Sequence, residues 1–290
     1  MMHTDRLKRH PGTFRQLTGL TPAKFDHLLA DLAPRYRQAE ARRKDRPGRK
    51  RKPGAGRKHA LPLADRLLML LMYYRTYTTH ALLGFLFGVD DSAVGRNINP
   101  LQPLLAGVFR VPERRVTLAA AEIRELFFDA AERPARRPTR RQRRFYSGKK
   151  RRHTIKTQVV VVRRRKRPGP GAEPRRLRIA AVSAAAPGRA HDKRVYDNAR
   201  VIAPPGVARF GDTAYLGTGL RTPARKPPRG CLTDRQKRGN RRLARKRVAV
   251  EHGIGKLKIW RITAERYRNP VRCHTLIVKN VAGLHNLMYA

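Results

Sequence analysis

Apolar positions along this chain change their period near residue 116. Before that point they recur every three or four residues, as on helix faces; beyond it, runs of β-branched residues appear. Thr21 followed by Pro22 reads as an N-cap and first helical residue, and Leu28, Leu29 and Leu32 continue a short helix that Pro34 should end. Residues 35–58 are almost without apolar side chains and predict a flexible basic linker. Leu63, Leu67, Leu70, Leu71 and Tyr74 form the stripe of an amphipathic helix. Thr78 or Thr79 can cap a second helix over 80–87, which Gly88 is suited to end in a left-handed conformation. Asp90 and Asp91 are candidate caps for a third, beginning near Ser92. Helix, glycine-bearing turn and helix make a helix-turn-helix pattern, with Val94, Ile98 and Leu101 inward and Ser92, Ala93, Arg96 and Asn97 outward. A plain three-helix module is the alternative, and Gly95 and Pro100 limit the third helix.

Past residue 116 the pattern is mixed. ELFFDA at 125–130 reads as a short strand ending at Asp129, and a basic, proline-bearing loop runs on to residue 144. Residues 153–163 and 177–183 are strand-like, a helix follows from Asp192, and 207–212 is a strand ending in Asp212. Residues 217–233, rich in Gly, Pro and Thr, form a loop. A helix over 241–261 carries the stripe Leu243, Val250, Ile254 and Leu257, and an apolar helix over 274–288 closes the chain. Three strands, a helix, a strand and further helices is the order of an RNase H-like core. The expected architecture is therefore α/β: an RNase H-like domain, mixed sheet with helices, preceded by an all-α helix-turn-helix domain. The boundaries expected are 1–60 for an N-terminal helix and linker, 61–115 for the helix-turn-helix, and 116–290 for the α/β domain.

Charge narrows the partners. Lys and Arg number 68 against 20 Asp and Glu, a formal net charge of +48. Such an excess calls for a polyanion, and double-stranded DNA is the first candidate, ahead of a membrane surface. Two cysteines, Cys231 and Cys273, make no disulfide framework. The N-terminus lacks a signal-peptide core, and the apolar runs are too short to span a bilayer, so a cytoplasmic protein with no membrane partner is expected.

Candidate chemistry rests on carboxylates. From Arg140 onward only seven acidic residues occur, and Asp212 and Glu251 are two of them. Two aspartates at strand ends, Asp129 and Asp212, with a glutamate on a later helix, are what a two-metal phosphoryl-transfer site requires. Oxygen ligands of this kind suit Mg²⁺. For Glu251 a surface ion pair with Arg247, contributing a few tenths of a kcal/mol, is the competing account. For either aspartate, a turn cap is.

Five segments in order add a family resemblance: DAAERP (129–134), YSGKKRRHT (146–154), PGRAHDK (187–193), GDTAYLG (211–217) and RVAVEHGIGKLK (247–258). Together they resemble DDE-type insertion-sequence transposases, of the group related to Harbinger-like endonucleases. The resemblance implies that Asp129, Asp212 and Glu251 are a DDE triad holding two Mg²⁺ or Mn²⁺ ions, on an RNase H-like fold. It implies cleavage of element ends and joining to target DNA, recognition of terminal inverted repeats, and a homo-oligomer assembled on DNA. Ala131 stands where the family often has threonine, at a position that is not a ligand. Lys149, Lys150, Arg151 and Arg152 are placed to hold phosphates near the site. Lys256 and Lys258 would contact DNA backbone or simply be solvated. His153 and His191 stand open between contact near the scissile bond and packing or capping. Asp192 is expected to cap its helix, and Trp260 to be core. Two rival classes remain: a basic nucleic-acid-binding protein without catalysis, and a silent or domesticated copy that only binds DNA.

Overall fold

The computed structural model describes residues 1–45, 59–165 and 177–289. They divide into two compact units, one of Met1–Arg110 with Trp260–Ile262, the other of Val111–Ile259 with Thr263–Ala290. Among the described residues no helix is long and apolar enough to cross a membrane.

The first unit is helical: α1 (Thr4–Lys8), α2 (Pro11–Thr18), α3 (Pro22–Lys44), α4 (Leu63–Thr76), α5 (His80–Phe87), α6 (Asp91–Ile98) and α7 (Leu101–Phe109). Its axis is α4, in which every residue from Asp65 to Tyr74 is buried. The expected one-sided amphipathic helix is thus buried all round, because α1, α2, α3, α5 and α6 pack about it. The two charged side chains of that buried stretch are satisfied inside. Asp65 accepts from the Thr4 amide and hydroxyl at 2.7 and 2.6 Å and faces His3 Nδ1 at 2.9 Å. Arg66 donates to the Tyr36 hydroxyl at 2.7 Å and to the Asn97 carbonyl at 3.3 Å.

The Thr21 hydroxyl caps α3, accepting from the Lys24 amide at 3.4 Å, but the helix does not stop at Pro34. It runs to Lys44, through residues expected to be linker. Pro34 and Ala30 both lie on the exposed side, so the carbonyl deprived of its partner by the ring can bond to water. The remainder of the predicted linker, 46–58, lies outside the described residues.

Helices α5 and α6 follow the pattern closely. The Thr79 hydroxyl accepts from Leu82 N–H at 3.2 Å, and Gly88 ends α5 at φ +66°. Asp90 occupies the N-cap position of α6, although its side chain makes no capping bond. Val94, Ile98 and Leu101 are buried, as is Trp260. Asn97 does not face outward. It is 8% exposed, and its amide donates to the Ala93 carbonyl at 2.9 Å. At 100° per residue it falls about 60° from Val94, close enough for the buried stripe to take it in. Ser92 and Arg96 do face out, joined at 3.2 Å.

The second unit contains β1 (Ile123–Pro134), α8 (Gln142–Phe145), β2 (Tyr146–Ser147), β3 (Arg152–Arg164), β4 (Leu177–Val182), β5 (Ala186–Pro187), α9 (Asp192–Ala199), β6 (Ala208–Phe210), α10 (Asp234–Leu257), the last two residues of α11 (Arg261–Ala264) and α12 (His274–Met288). Central β3 pairs antiparallel with β1 on one side and β4 on the other, and β6 joins β1 in parallel. The two-residue strands β2 and β5 pair with the start of β3. Successive residues of β1 serve opposite faces. Phe128 meets Tyr196 of α9 at 5.6 Å, above a core that includes Ile123, Leu126, Val160 and Tyr215. Phe127 stacks on Phe210 at 5.4 Å on the other side. The open edge of β4 is covered from α12, whose Asn286 side chain exchanges two 2.9 Å hydrogen bonds with the Ile179 backbone.

Two boundaries differ from expectation. Strand β1 continues past Asp129 to Pro134, because β3 is long enough to pair with every one of those residues. Helix α10 begins at Asp234, not 241, since Thr233 and Gln236 close a capping box at 2.9 and 3.2 Å. It ends at Leu257, short of Trp260.

Candidate active site

Register brings the first two carboxylates level. β1 and β6 run parallel with Phe127 opposite Phe210 as their last pair. Asp129 and Asp212 each lie two residues further on, so neighbouring strands deliver them side by side. Beyond Phe210 the chains part: β1 continues, while Asp212 turns into a 3₁₀ turn over Thr213–Tyr215, its Oδ1 accepting from the Ala214 amide at 2.9 Å. Asp129 Oδ1 accepts from the Ala130 amide at 2.8 Å. Asp129 is thus inside a strand, and the open edge left where β6 stops serves as the strand end that was expected.

The third carboxylate comes from α10, which is fixed to the sheet at two places. Glu125, 5% exposed, accepts from Arg163 at 2.6 Å and from Lys246 of α10 at 2.7 Å. Burial alone would raise the Glu125 carboxyl; the hydrogen bond and charge of Lys246, with Arg163 and Arg124, reverse this and hold it below its ordinary value. About two turns further on, Gly253 lies against Val161, so close that a Cβ would sit 2.8 Å from a valine methyl. Between these anchors the helix presents Glu251 to the cleft, exposed and without an ion pair to Arg247 among the described residues.

Asp129, Asp212 and Glu251 line one cleft of about 390 Å³ with Glu132, Arg133, Lys149, Lys150, Asp192 and Lys258. Burial pushes the Asp129 carboxyl up to about 6; the Ala130 amide and Arg247 oppose the rise, while Asp212 and Asp192 add to it. Carboxylates that repel one another in a half-enclosed cleft are a donor set for a hard divalent cation. No group of three or more His, Cys, Asp or Glu side chains among the described residues is gathered tightly enough to hold an ion outright. The set therefore fits a metal by chemistry and location, while the ligand cage is not closed.

The other sequence-selected residues divide. Lys149, Lys150 and Lys258 line the cleft; Arg151, Arg152 and His153 follow on the same hairpin outside its lining, Arg152 donating to the Lys150 carbonyl at 3.2 Å and His153 packed edge-on to Tyr146 at 5.7 Å. Lys256 points elsewhere, its ammonium 4.1 Å from the centre of the Tyr289 ring. His191, not Asp192, caps α9, its Nδ1 accepting from the Lys193 amide at 3.3 Å. Asp192 pairs instead with Lys156 at 2.8 Å and turns to the cleft. Ser92 and Arg96 belong to the other unit.

Arg133 and Glu132 are cleft residues that sequence reasoning passed over, and Asp192 is one that it assigned to a helix cap. Two signals pointed to them: Asp192 is among the seven acidic residues of the C-terminal half, and Arg133 stands four places beyond Asp129, hence on the same strand face.

An α/β unit with three antiparallel strands, a parallel fourth, and acidic side chains from β1, the end of β6 and α10 is an RNase H-like nuclease core, here in a chain that also carries a helix-turn-helix. Residues 128–286 match the DDE superfamily endonuclease model, and the chain belongs to that family; residues 59–110 match the helix-turn-helix of DDE superfamily endonucleases. Over 281 residues it is 29% identical to a protein of Microchaete diplosiphon described as a probable transposase for insertion sequence element IS702, covering 94% of this chain and 93% of that one. A Streptomyces albus G protein described in similar terms for element IS112 is also 29% identical, covering 96% and 95%. No solved structure matches.

Proposed function

We propose that the chain is an insertion-sequence transposase that cleaves the ends of its element and joins the freed 3′-OH to target DNA. The observation that carries this reading is that Asp129, Asp212 and Glu251, from three separate elements, share one lysine-rimmed cleft. These carboxylates would hold two Mg²⁺ or Mn²⁺ ions, which when bound supply Lewis-acid polarisation and charge neutralisation for in-line displacement at phosphorus. The chain's own groups do the positioning. Lys149, Lys150 and Lys258 hold backbone phosphates across the cleft, and fixing the strand beside the carboxylates turns an encounter into an intramolecular one. Backbone amides of Ala130 and Ala214 hold one oxygen of each aspartate, which keeps the other aimed outward. Base readout of terminal repeats belongs to α6, whose outward Ser92 and Arg96 occupy the second helix of the helix-turn-helix. Two element ends call for two copies of the chain on DNA.

The experiment is nicking of a labelled duplex taken from DNA flanking the reading frame. Glu251→Gln replaces a charged oxygen donor by a neutral one at an exposed position, so 3′-end cleavage and strand transfer are expected to fall by orders of magnitude with folding and DNA binding intact. Equal nicking by variant and wild type removes Glu251 from the site. Absence of Mg²⁺-dependent nicking by the wild type leaves a DNA-binding protein without catalysis.

A further inference from the structure

Among the described residues, one buried cation of the cleft has no ion pair. Arg133 lines the cleft and is 5% exposed. Among the described residues it makes no hydrogen bond and no ion pair. Two other enclosed cations of its unit are paired: Arg163 with Glu125 at 2.6 Å, and Lys156 with Asp192 at 2.8 Å. Burial pulls the Arg133 guanidinium down to about 10, with the Tyr267 phenol giving partial relief. Nearby His274 is held down to about 3 by burial and by Arg133 itself, so it stays neutral and offers no repulsion. An unpaired buried charge is destabilising, and such a group persists where something outside the folded chain completes it. A planar guanidinium is matched in shape to the two free oxygens of a phosphodiester.

We propose that Arg133 is a phosphate receptor, receiving in the depth of the cleft one backbone phosphate of the DNA strand bound there. The inference rests on the reading that this cleft takes DNA, and it separates Arg133 from Lys149, Lys150 and Lys258, which act as solvated point charges. The chain tolerates an uncompensated charge in the free state and regains that stability when DNA arrives.

Arg133→Met tests this in the full chain, because the two roles move stability in opposite directions. A receptor predicts a variant that melts a few degrees higher than wild type without DNA yet binds the flanking-sequence duplex about tenfold more weakly, the size of one charge-assisted contact. Binding is then measured, without Mg²⁺, on duplexes carrying a single neutral methylphosphonate moved along each strand. One position should weaken wild-type binding about tenfold and have no effect on the variant. A variant that melts lower with unchanged affinity, or one with the same position-by-position profile as wild type, overturns the proposal. Should Arg133→Met not fold, Arg133→Lys takes its place: the effect of the sensitive position is expected to shrink, and an unchanged profile is again fatal. Since nicking is not read, a wild type that binds but does not cut counts against the transposase reading and leaves this result standing.

Discussion

Helices α4 and α10 are held in opposite ways. Every side of α4 from Asp65 to Tyr74 is buried, and even its charges are satisfied within its own unit. Helix α10, ten residues longer, buries only Ala249, Val250, Gly253, Ile254 and Leu257, all in its second half. Its first half stands in solvent with Arg235, Lys237, Arg238, Arg241, Arg242 and Arg245 exposed. Apolar burial on every side fixes the one; an apolar strip along one side, a capping box, an ion-pair network and a glycine contact fix the other. The second arrangement leaves a face free, and Glu251 is on it. A helix surrounded by core can organise a domain, whereas a helix attached along one strip can also serve a cleft.

The largest expected effect lies in α4. Leu71→Ala should lower stability by about 2–5 kcal/mol in urea or thermal melts, as a fully buried leucine leaves a cavity. Val248→Ala on the open side of α10 should shift it by less than about 0.5 kcal/mol. Similar losses from both would end the contrast.

Asp129→Asn should be next, and stabilising. The folded carboxyl titrates at about 6 against an ordinary 3.8. Between those values the folded state binds more protons, so wild-type stability falls as pH rises through that window, by about 3 kcal/mol in all. The variant should lack this slope, exceed wild type above pH 6, and lose nicking. Melts of both proteins across pH check it; parallel curves would show that Asp129 ionises without strain.

Gly253→Ala probes the strip that attaches α10. The new methyl meets Val161, so α10 should ride out by a few tenths of an ångström, at about 1–3 kcal/mol. Nicking is expected to drop further than duplex binding, because Glu251 moves with the helix. Activity unchanged at reduced stability would mean the cleft does not depend on that contact.

Arg96→Ala should do least to the fold. The ratio of affinities for terminal-repeat and random duplex should fall about tenfold, while salt-sensitive general binding changes little. An unchanged ratio would take α6 out of base readout.

Much of this molecule was legible locally. The limits of α5 follow from Thr79 and Gly88, those of α12 from its apolar run, and the core of β3 from consecutive valines. A cap or a period acts within four residues and is visible in any short window. Candidate carboxylates could be selected for the same reason: acidic side chains are scarce, and three fall in strand and helix signals. Other outcomes required partners remote in sequence. α3 passes Pro34 because that side of the helix faces water. Asn97 is inside because Arg66, thirty-one residues away, bonds to its carbonyl and the α6 stripe includes it. Asp129 meets Asp212 because Phe127 pairs with Phe210, and Arg133 is enclosed because β1 continues along β3. The chain alone thus determined its elements, its charge and the kinds of residue available for chemistry. Register, burial and the company each charge keeps were decided by tertiary structure, since these depend on contacts between segments that no local window contains.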